Sequence, residues 1–429
     1  MLMRRAGRGM ITLRPIERET MRTVTVGHFD GELEAGSFDD DPYPVYDMLR
    51  AAAPVYRSEA VGAWLLTRYD DVSSTLRDPA RFSSSGRFNA VLGGLDAEDR
   101  ASVRPLEDHF SIGLLASDPP DHTRLRGLIN RAFTPRVVEA LRPRIETLVE
   151  GMIDALLANP EPDLLRDLAY PLPATVIAEL LGAPAEDRDA FKVWSDGILA
   201  FQGTGRASPG LLRRSQADLL EMRAYLTRLL DERRRTPADD LLSRMVAAEA
   251  EGDKLTEGEL LTTCVTLLTA GHETTTNLIA NGLLTLLRHP GQLALLRGSP
   301  ELMPSAVEEM LRFESPLQRN PRRMTADVEL RGETLQAGDF VFQVLGAANR
   351  DPQQFPDPHR FDITRKPNRH LAFAMGIHFC LGAPLARLEA SIAIGSVLRR
   401  LPALRLASDA VEWHRHGLLR SLKALPVAV

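Results

Sequence analysis

Cysteine is nearly absent: 429 residues hold only Cys264 and Cys380, in very different surroundings. That excludes a disulfide framework and makes reduced thiols the default. Also lacking is any window close to the roughly 20 uncharged apolar residues of a membrane span. Residues 1–22 carry six arginines but only short apolar stretches, whereas a secretory leader needs a continuous apolar run of roughly 7 to 15. Glu17 and Glu19 also speak against an organelle leader, so residues 1–25 are expected to form a disordered basic tail. The net charge of −6 excludes a general nucleic-acid binder, since such proteins carry a basic total or a dense basic stripe. There is no internal repeat and no long polar linker. The expectation is one domain over 26–429, in a soluble, monomeric, cytoplasmic protein.

What is present is the ordinary globular balance, 44% hydrophobic and 26% charged residues, with helical periodicity throughout. Apolar residues recur three or four apart over 137–157, 211–235, 255–287, 303–313 and 383–401. The segment 255–287 predicts a helix roughly 50 Å long, with few charges, that crosses the middle of the molecule. Strand-like alternation occurs at 64–67 and 327–344, punctuated by Gly332 and Gly338, and predicts a small β region beside the helices. Two Gly- and Ser-rich stretches, 82–114 and 201–210, read as mobile loops.

Chemistry concentrates around one cysteine. The run Phe373-Ala374-Met375-Gly376-Ile377-His378-Phe379-Cys380-Leu381-Gly382 precedes Ala383-Pro384 and a strongly periodic segment. A proline there marks a helix start, so Cys380 lies just before a helix N-terminus, where the dipole and free amides favour a thiolate. Gly376 and Gly382 permit tight turns on either side. Cys264, inside the long helix without glycine neighbours, reads as plain core.

The long helix carries Ala270-Gly271-His272-Glu273-Thr274-Thr275-Thr276. Poor and polar helix formers in a buried helix cost stability, about 1 kcal/mol for the glycine alone. Gly271 leaves room for a small molecule against the backbone, and a threonine hydroxyl bonding a backbone carbonyl loosens the helix locally. Thr266, Ala270 and Thr274 share one face; for Thr266 a packed threonine bonded to its own helix is an equal alternative. His272 reads as turned away from this site. Elsewhere, His122 and Arg126 lie four apart after Asp118-Pro119-Pro120 and make a small cationic face, although each such cation taken singly is more often a surface charge.

The pattern Phe373, Gly376, His378, Cys380, Gly382 resembles the haem-binding signature of the cytochrome P-450 superfamily, with every fixed position present. The resemblance extends from about Asp41 to the C-terminus. It implies a mainly α fold with a small β-sheet region, haem b lying between the long central helix and the helix of the Cys380 loop, and Cys380 as the iron ligand. It further implies that Phe373, Gly376, Gly382, Ala270 and Gly271 border the haem, and that His122, Arg126, Arg322 and His378 hold its propionates. Glu273 and Thr274 resemble the family's acid and alcohol pair, which passes protons to the oxygen site. Glu309 and Arg312, with the arginine of Pro358-His359-Arg360-Phe361, resemble its structural ion triad. Thr266, Ala270, Leu317, Gln318 and Leu418 are the substrate-wall candidates.

A monooxygenase acting with O2 on a hydrophobic small molecule is the implied activity. Its electrons would come from a separate ferredoxin or flavodoxin fed by an NAD(P)H reductase, docking on basic residues such as Arg124, Arg131, Lys366 and Arg369, for which ordinary solvated charge is the alternative. A peroxide-driven or non-oxygenating haem-thiolate enzyme, or a haem-thiolate sensor, are the other readings. Glu273 and Thr274 argue against the first, and a cavity with lids against the second.

Overall fold

The computed structural model describes residues 26–429 apart from 202–206, 251–254 and His416. The basic tail expected at 1–25 lies outside the described residues. The long helix is present as Glu257–Arg288. It starts at a capping box in which the Thr256 hydroxyl accepts from the Glu259 amide at 3.2 Å and the Glu259 carboxylate accepts from the Thr256 amide at 2.8 Å. Two otherwise orphaned amides are thereby satisfied. From Leu260 onward the helix is buried over most of its length. Its apolar side chains join those of the helices Pro171–Leu180, Met303–Phe313 and Ala383–Arg400 in one large core. Cys264 is fully buried there, and burial pushes its thiol up to about 12, so it is inert core as expected.

The β region stands beside this helical body. Strands β1 (Val55–Ser58), β2 (Ala63–Leu66), β3 (Phe82–Ser83), β4 (Arg319–Met324) and β7 (Phe340–Val344) form one sheet in the order β1-β2-β7-β4-β3. Strands β2 and β7 pair in parallel and the remaining neighbours antiparallel. The strands β5 (Val328–Leu330) and β6 (Glu333–Leu335) form a separate hairpin. A second, smaller core of Trp64, Leu66, Val72, Met324 and Val341 lies against the sheet.

Some sequence expectations are corrected. The 137–157 periodicity resolves into two helices, Pro135–Ala140 and Arg142–Ala158, because Pro143 fits a first helical turn and not a helix interior. The stretch 82–114 is not an irregular loop: it contains β3 and the helices Asn89–Leu92, Ala97–Ser102 and Arg104–Ser111. Asp96 caps the second of these by accepting from the Asp99 amide at 2.8 Å, and Phe88, Leu92, Val103 and Leu106 are buried. In 201–210, residues 202–206 lie outside the described ones. The helix Pro209–Arg235 begins directly behind Ser208, whose hydroxyl accepts from the Leu211 amide at 3.2 Å.

Glu309 and Arg312 are both fully buried and form two parallel 2.8 Å bonds. Arg312 also donates to the carbonyls of Asn349 and Pro358, each at 2.9 Å. The third member is Arg365, not Arg360: its Nε donates to Glu309 at 3.2 Å. Arg360 is exposed and contributes only its backbone carbonyl, which accepts from Arg312 and Arg365. The turn around Asp357, whose φ is 48°, sends the Arg360 side chain outward, and the chain returns to Glu309 five residues later. Further donors to Glu309 are the Asp362 amide at 2.9 Å and Asn368 at 3.1 Å.

Removing one partner of such a network leaves a buried, uncompensated charge. Glu309→Ala is therefore expected to lower unfolding stability by about 3–5 kcal/mol. In urea titrations Arg365→Ala should shift the midpoint clearly, whereas Arg360→Ala should leave it almost unchanged; the opposite ranking would restore Arg360 to the triad.

Candidate active site

A cavity of about 690 Å³ separates the long helix from the Cys380 loop. One wall carries Thr266, Ala270, Gly271, Glu273 and Thr274; the opposite wall carries Phe373, Cys380, Leu381 and Gly382. The cysteine loop is closed by a 3.0 Å bond from the Cys380 amide to the Phe373 carbonyl. Gly376 has φ +72°, and a Cβ there would lie 2.5 Å from the carbonyl oxygen of Leu76. Only glycine satisfies both constraints. Behind the loop starts the helix Ala383–Arg400, with Pro384 in its first turn.

The sulfur's surroundings act in opposite directions. Burial pushes the Cys380 thiol up, while the amides of Gly382 and Ala383 and the charges of Arg126 and Arg387 pull it down. The amides at the helix start act in the expected direction, toward a thiolate, but burial outweighs them. A bound metal ion supplies what is lacking, since coordination deprotonates a thiol.

At the edge of the cavity, cations converge. His122 and Arg322 are buried, and the rings of His122 and His378 are 4.4 Å apart. His378 Nε2 is bonded to the Ser84 hydroxyl at 2.9 Å. Arg322 donates to Asn320 at 3.0 Å and to the Pro321 carbonyl at 2.8 Å. Burial, followed by Arg322, His122, Arg87 and Arg126, pulls His378 down to about 2. Burial and then Arg87 bring Arg322 down to about 9. Asp118 is the acid nearby, and it is engaged with Ser83 and the Ser84 amide. His122 Nε2 is sealed from solvent with no partner among the described residues.

Four sequence candidates thus come together, joined by one that the sequence reading missed. Arg87 lines the cavity beside Arg322, and burial lowers it to about 10. It sits in the segment taken for a loop, where no periodic signal marks it. Three guanidinium groups beside two imidazoles kept neutral by burial and by those charges, one of them with an orphaned nitrogen, fit a ligand bearing two carboxylates. Together with a soft sulfur on one wall and a small-residue groove on the other, it fits haem.

On the long helix, Thr274 donates its hydroxyl to the Ala270 carbonyl at 2.9 Å and Thr275 donates to Gly271 at 3.1 Å, and the helix runs through this stretch unbroken. Glu273 lies 3.6 Å from His272 Nε2. Burial raises its carboxyl, but contact with His272 and the charge of Lys192 outweigh that and lower it. Asp196, on the helix Arg188–Leu199, is pushed up by burial and by Glu273, and Lys192 holds it at 2.8 Å. Asp196 and Lys192 were not foreseen, because nothing in sequence ties that helix to Glu273. His272 is buried, bonds the Leu268 carbonyl at 2.6 Å and does not border the cavity.

Among the substrate-wall candidates, Thr266, Leu317 and Leu418 line the cavity. Gln318 does not. It is buried behind the wall, donating to the Ser315 carbonyl at 2.7 Å, because side chains of successive extended residues point to opposite faces. The roof is closed by Phe88, Phe110 and Phe201, whose ring centroids are 5.1 to 5.3 Å apart. Of the proposed docking cations, Arg124 is tied to Glu259, while Arg131, Lys366 and Arg369 are exposed. Among the described residues no helix is long and apolar enough to cross a membrane.

A long central helix over a cysteine loop with flanking cations defines a haem-thiolate protein. Comparison with known proteins narrows that class. The family model "Cytochrome P450" matches residues 212–298 and 299–408. The chain is 47% identical over 399 residues to the cytochrome P450 monooxygenase PikC of Streptomyces venezuelae, covering 91% of each chain. It is 42% identical over 415 residues to the vitamin D(3) 25-hydroxylase of Pseudonocardia autotrophica, covering 95% of this chain and 99% of that one. The crystal structure of P450BioI with a hexadec-9Z-enoic acid-ligated acyl carrier protein superposes with a TM-score of 0.85 at 39% identity, over 92% of this chain and 100% of that one. The chain belongs to the cytochrome P450 family, whose members use a haem, O2 and a redox partner.

Cys380→Ala is expected to abolish the thiolate-type absorption spectrum of the reduced carbon monoxide complex. Cys264→Ala should leave it intact.

Proposed function

We propose that this chain is a monooxygenase that inserts one oxygen atom from O2 into a hydrophobic small molecule, by hydroxylation or epoxidation. The supporting observation is the pairing, across one cavity, of Cys380 with Glu273 and Thr274. The balance is RH + O2 + two electrons + two protons giving ROH + H2O. Haem b bound through Cys380 supplies the redox chemistry on oxygen, and the thiolate's electron donation favours O–O cleavage. His122, Arg126, Arg322, His378 and Arg87 would hold its propionates, and Phe373 and Gly382 would border it on the Cys380 side, with Gly376 setting the turn of that loop.

The protein's own part is to hold and move protons and to exclude water. Thr274, bonded to the Ala270 carbonyl, lines the cavity beside Ala270 and Gly271. Glu273 sits next to it in sequence and reaches outward to Asp196, Lys192 and His272. Asp196, raised by burial beside Glu273, holds a proton more readily than an ordinary aspartate, so the two carboxyls form a path from the surface helix to Thr274. The apolar roof of Phe88, Phe110 and Phe201, with Ile177 and Ile198, keeps bulk water out.

Electrons come from a separate ferredoxin or flavodoxin with an NAD(P)H reductase, docking on the face of Arg131, Lys366 and Arg369. The whole segment 26–429 acts as one domain, monomeric in the cytoplasm. A secondary metabolite, terpenoid or fatty acid suits the apolar cavity. PksS of Bacillus subtilis, 38% identical, is named for polyketide biosynthesis, and CYP267B1, 43% identical, was solved with myristic acid.

Purified protein with ferredoxin, reductase and NADPH should oxygenate a ligand that shifts the haem spin state; turnover with peroxide and none with these donors would overturn this reading. Thr274→Ala should keep the carbon monoxide spectrum while product formation falls about tenfold to a hundredfold and electrons are diverted to peroxide, measured as product per NADPH consumed.

A further inference from the structure

The roof of the cavity contains a polar group that the proton path does not use. His109, near the end of the helix Arg104–Ser111, is 4% exposed and borders the cavity together with Thr262. Its Nδ1 lies 3.3 Å from the Thr262 hydroxyl and 3.4 Å from Nη1 of Arg223. Gly113 brings the chain this close: its φ is +92°, and a Cβ there would fall 2.7 Å from Thr262 Cγ2.

The tautomer follows from the partners. A guanidinium only donates, so Nδ1 must accept, and the ring proton resides on Nε2. Burial, then the charge of Arg223, pulls the imidazole down to about 3, so it stays neutral at working pH. Arg223 makes no ion pair among the described residues and has the imidazole as its neighbour instead. With the Nδ1 edge occupied, Nε2 is the free polar edge of a side chain that borders the cavity, and it has no protein partner among the described residues. Phe110 packs edge-on against the ring at 5.0 Å. The surroundings are otherwise apolar, which makes one uncharged donor directional and raises the cost of leaving it unmatched.

We propose that His109 is a specificity-determining residue: its Nε2–H, with the tautomer fixed by Arg223 and Thr262, donates a hydrogen bond to an uncharged oxygen acceptor on the substrate. Thr262 lies twelve residues before Thr274 on the same helix, about 18 Å at 1.5 Å per residue. The anchored oxygen and the oxidised carbon are therefore far apart. The favoured ligand is an elongated, uncharged apolar molecule with a carbonyl or ether oxygen toward one end, oxidised toward the other. This rests on the monooxygenase reading for its reaction, but not for its binding.

The experiment uses the haem-loaded protein and a matched pair, a sixteen-carbon methyl ketone and hexadecane, with binding read from the spin-state shift in the absence of electron donors. The ketone should bind the wild type about three- to tenfold more tightly than the hydrocarbon. His109→Phe, which keeps an aromatic ring in the same place, should erase that preference, and His109→Gln, which retains a donor, should keep part of it. Equal affinities of the wild type for both ligands would overturn the proposal, as would an undiminished ketone preference in His109→Phe. The wild-type comparison stands even if a variant fails to load haem. Because no turnover is measured, loss of oxygenation would count against the proposed reaction and leave this result unaffected.

Discussion

The buried network on Glu309 governs the position of the sulfur. Arg312 and Arg365 bring two guanidinium groups onto one carboxylate, and their remaining hydrogens go to the carbonyls of Asn349, Pro356, Pro358 and Arg360. Asn349 in turn accepts from the Leu371 amide at 2.6 Å, two residues before Phe373. A helix that packs on the long helix is thus wired to the extended segment leading into the cysteine loop. Burying these charges is unfavourable unless every hydrogen finds an acceptor, so the segment has few other arrangements available. That restriction aims Cys380 across the cavity at Gly271 and Thr274.

A second constraint is electrostatic. Burial lowers the basicity of His122, His378, Arg87, Arg126 and Arg322, and neighbouring guanidinium charges add to the effect at His122, His378 and Arg322. Like charges held this close destabilise the fold locally unless an anion joins them. The cost is tolerable because the cluster is spread over three separate segments and the β4 strand, each anchored elsewhere in the fold. The arrangement would give a dianionic edge a strong directional preference, and so would decide which way round a planar cofactor bearing one could lie.

Much of this was legible in the sequence, for identifiable reasons. The cysteine signature is local: glycine positions, the helix start and the sulfur lie within ten residues, and the backbone follows them. The long helix was equally readable from its periodicity, while the capping box that starts it became visible only in the structure. What escaped depends on chain reversal. Arg360 and Arg365 are equivalent as sequence until a turn at Asp357 decides which reaches Glu309. Gln318 and Leu317 differ only in which face of the extended chain they occupy. Arg87, Lys192, Asp196 and His109 join the site from elements whose contact with the long helix no local pattern announces, and helices in 82–114 were hidden by glycine and serine.

The three phenyl rings over the cavity have a kinetic consequence. Phe88 and Phe110 belong to one segment and Phe201 to another, so the cluster is a seam between two stretches of chain. Anything wedged through that seam forfeits ring contacts worth about 0.5–1.5 kcal/mol each. Those contacts re-form once the molecule is inside. A molecule leaving by that route would cross the same transition state as one entering, so its residence time would depend on aromatic cohesion as well as on the affinity of the chamber beneath.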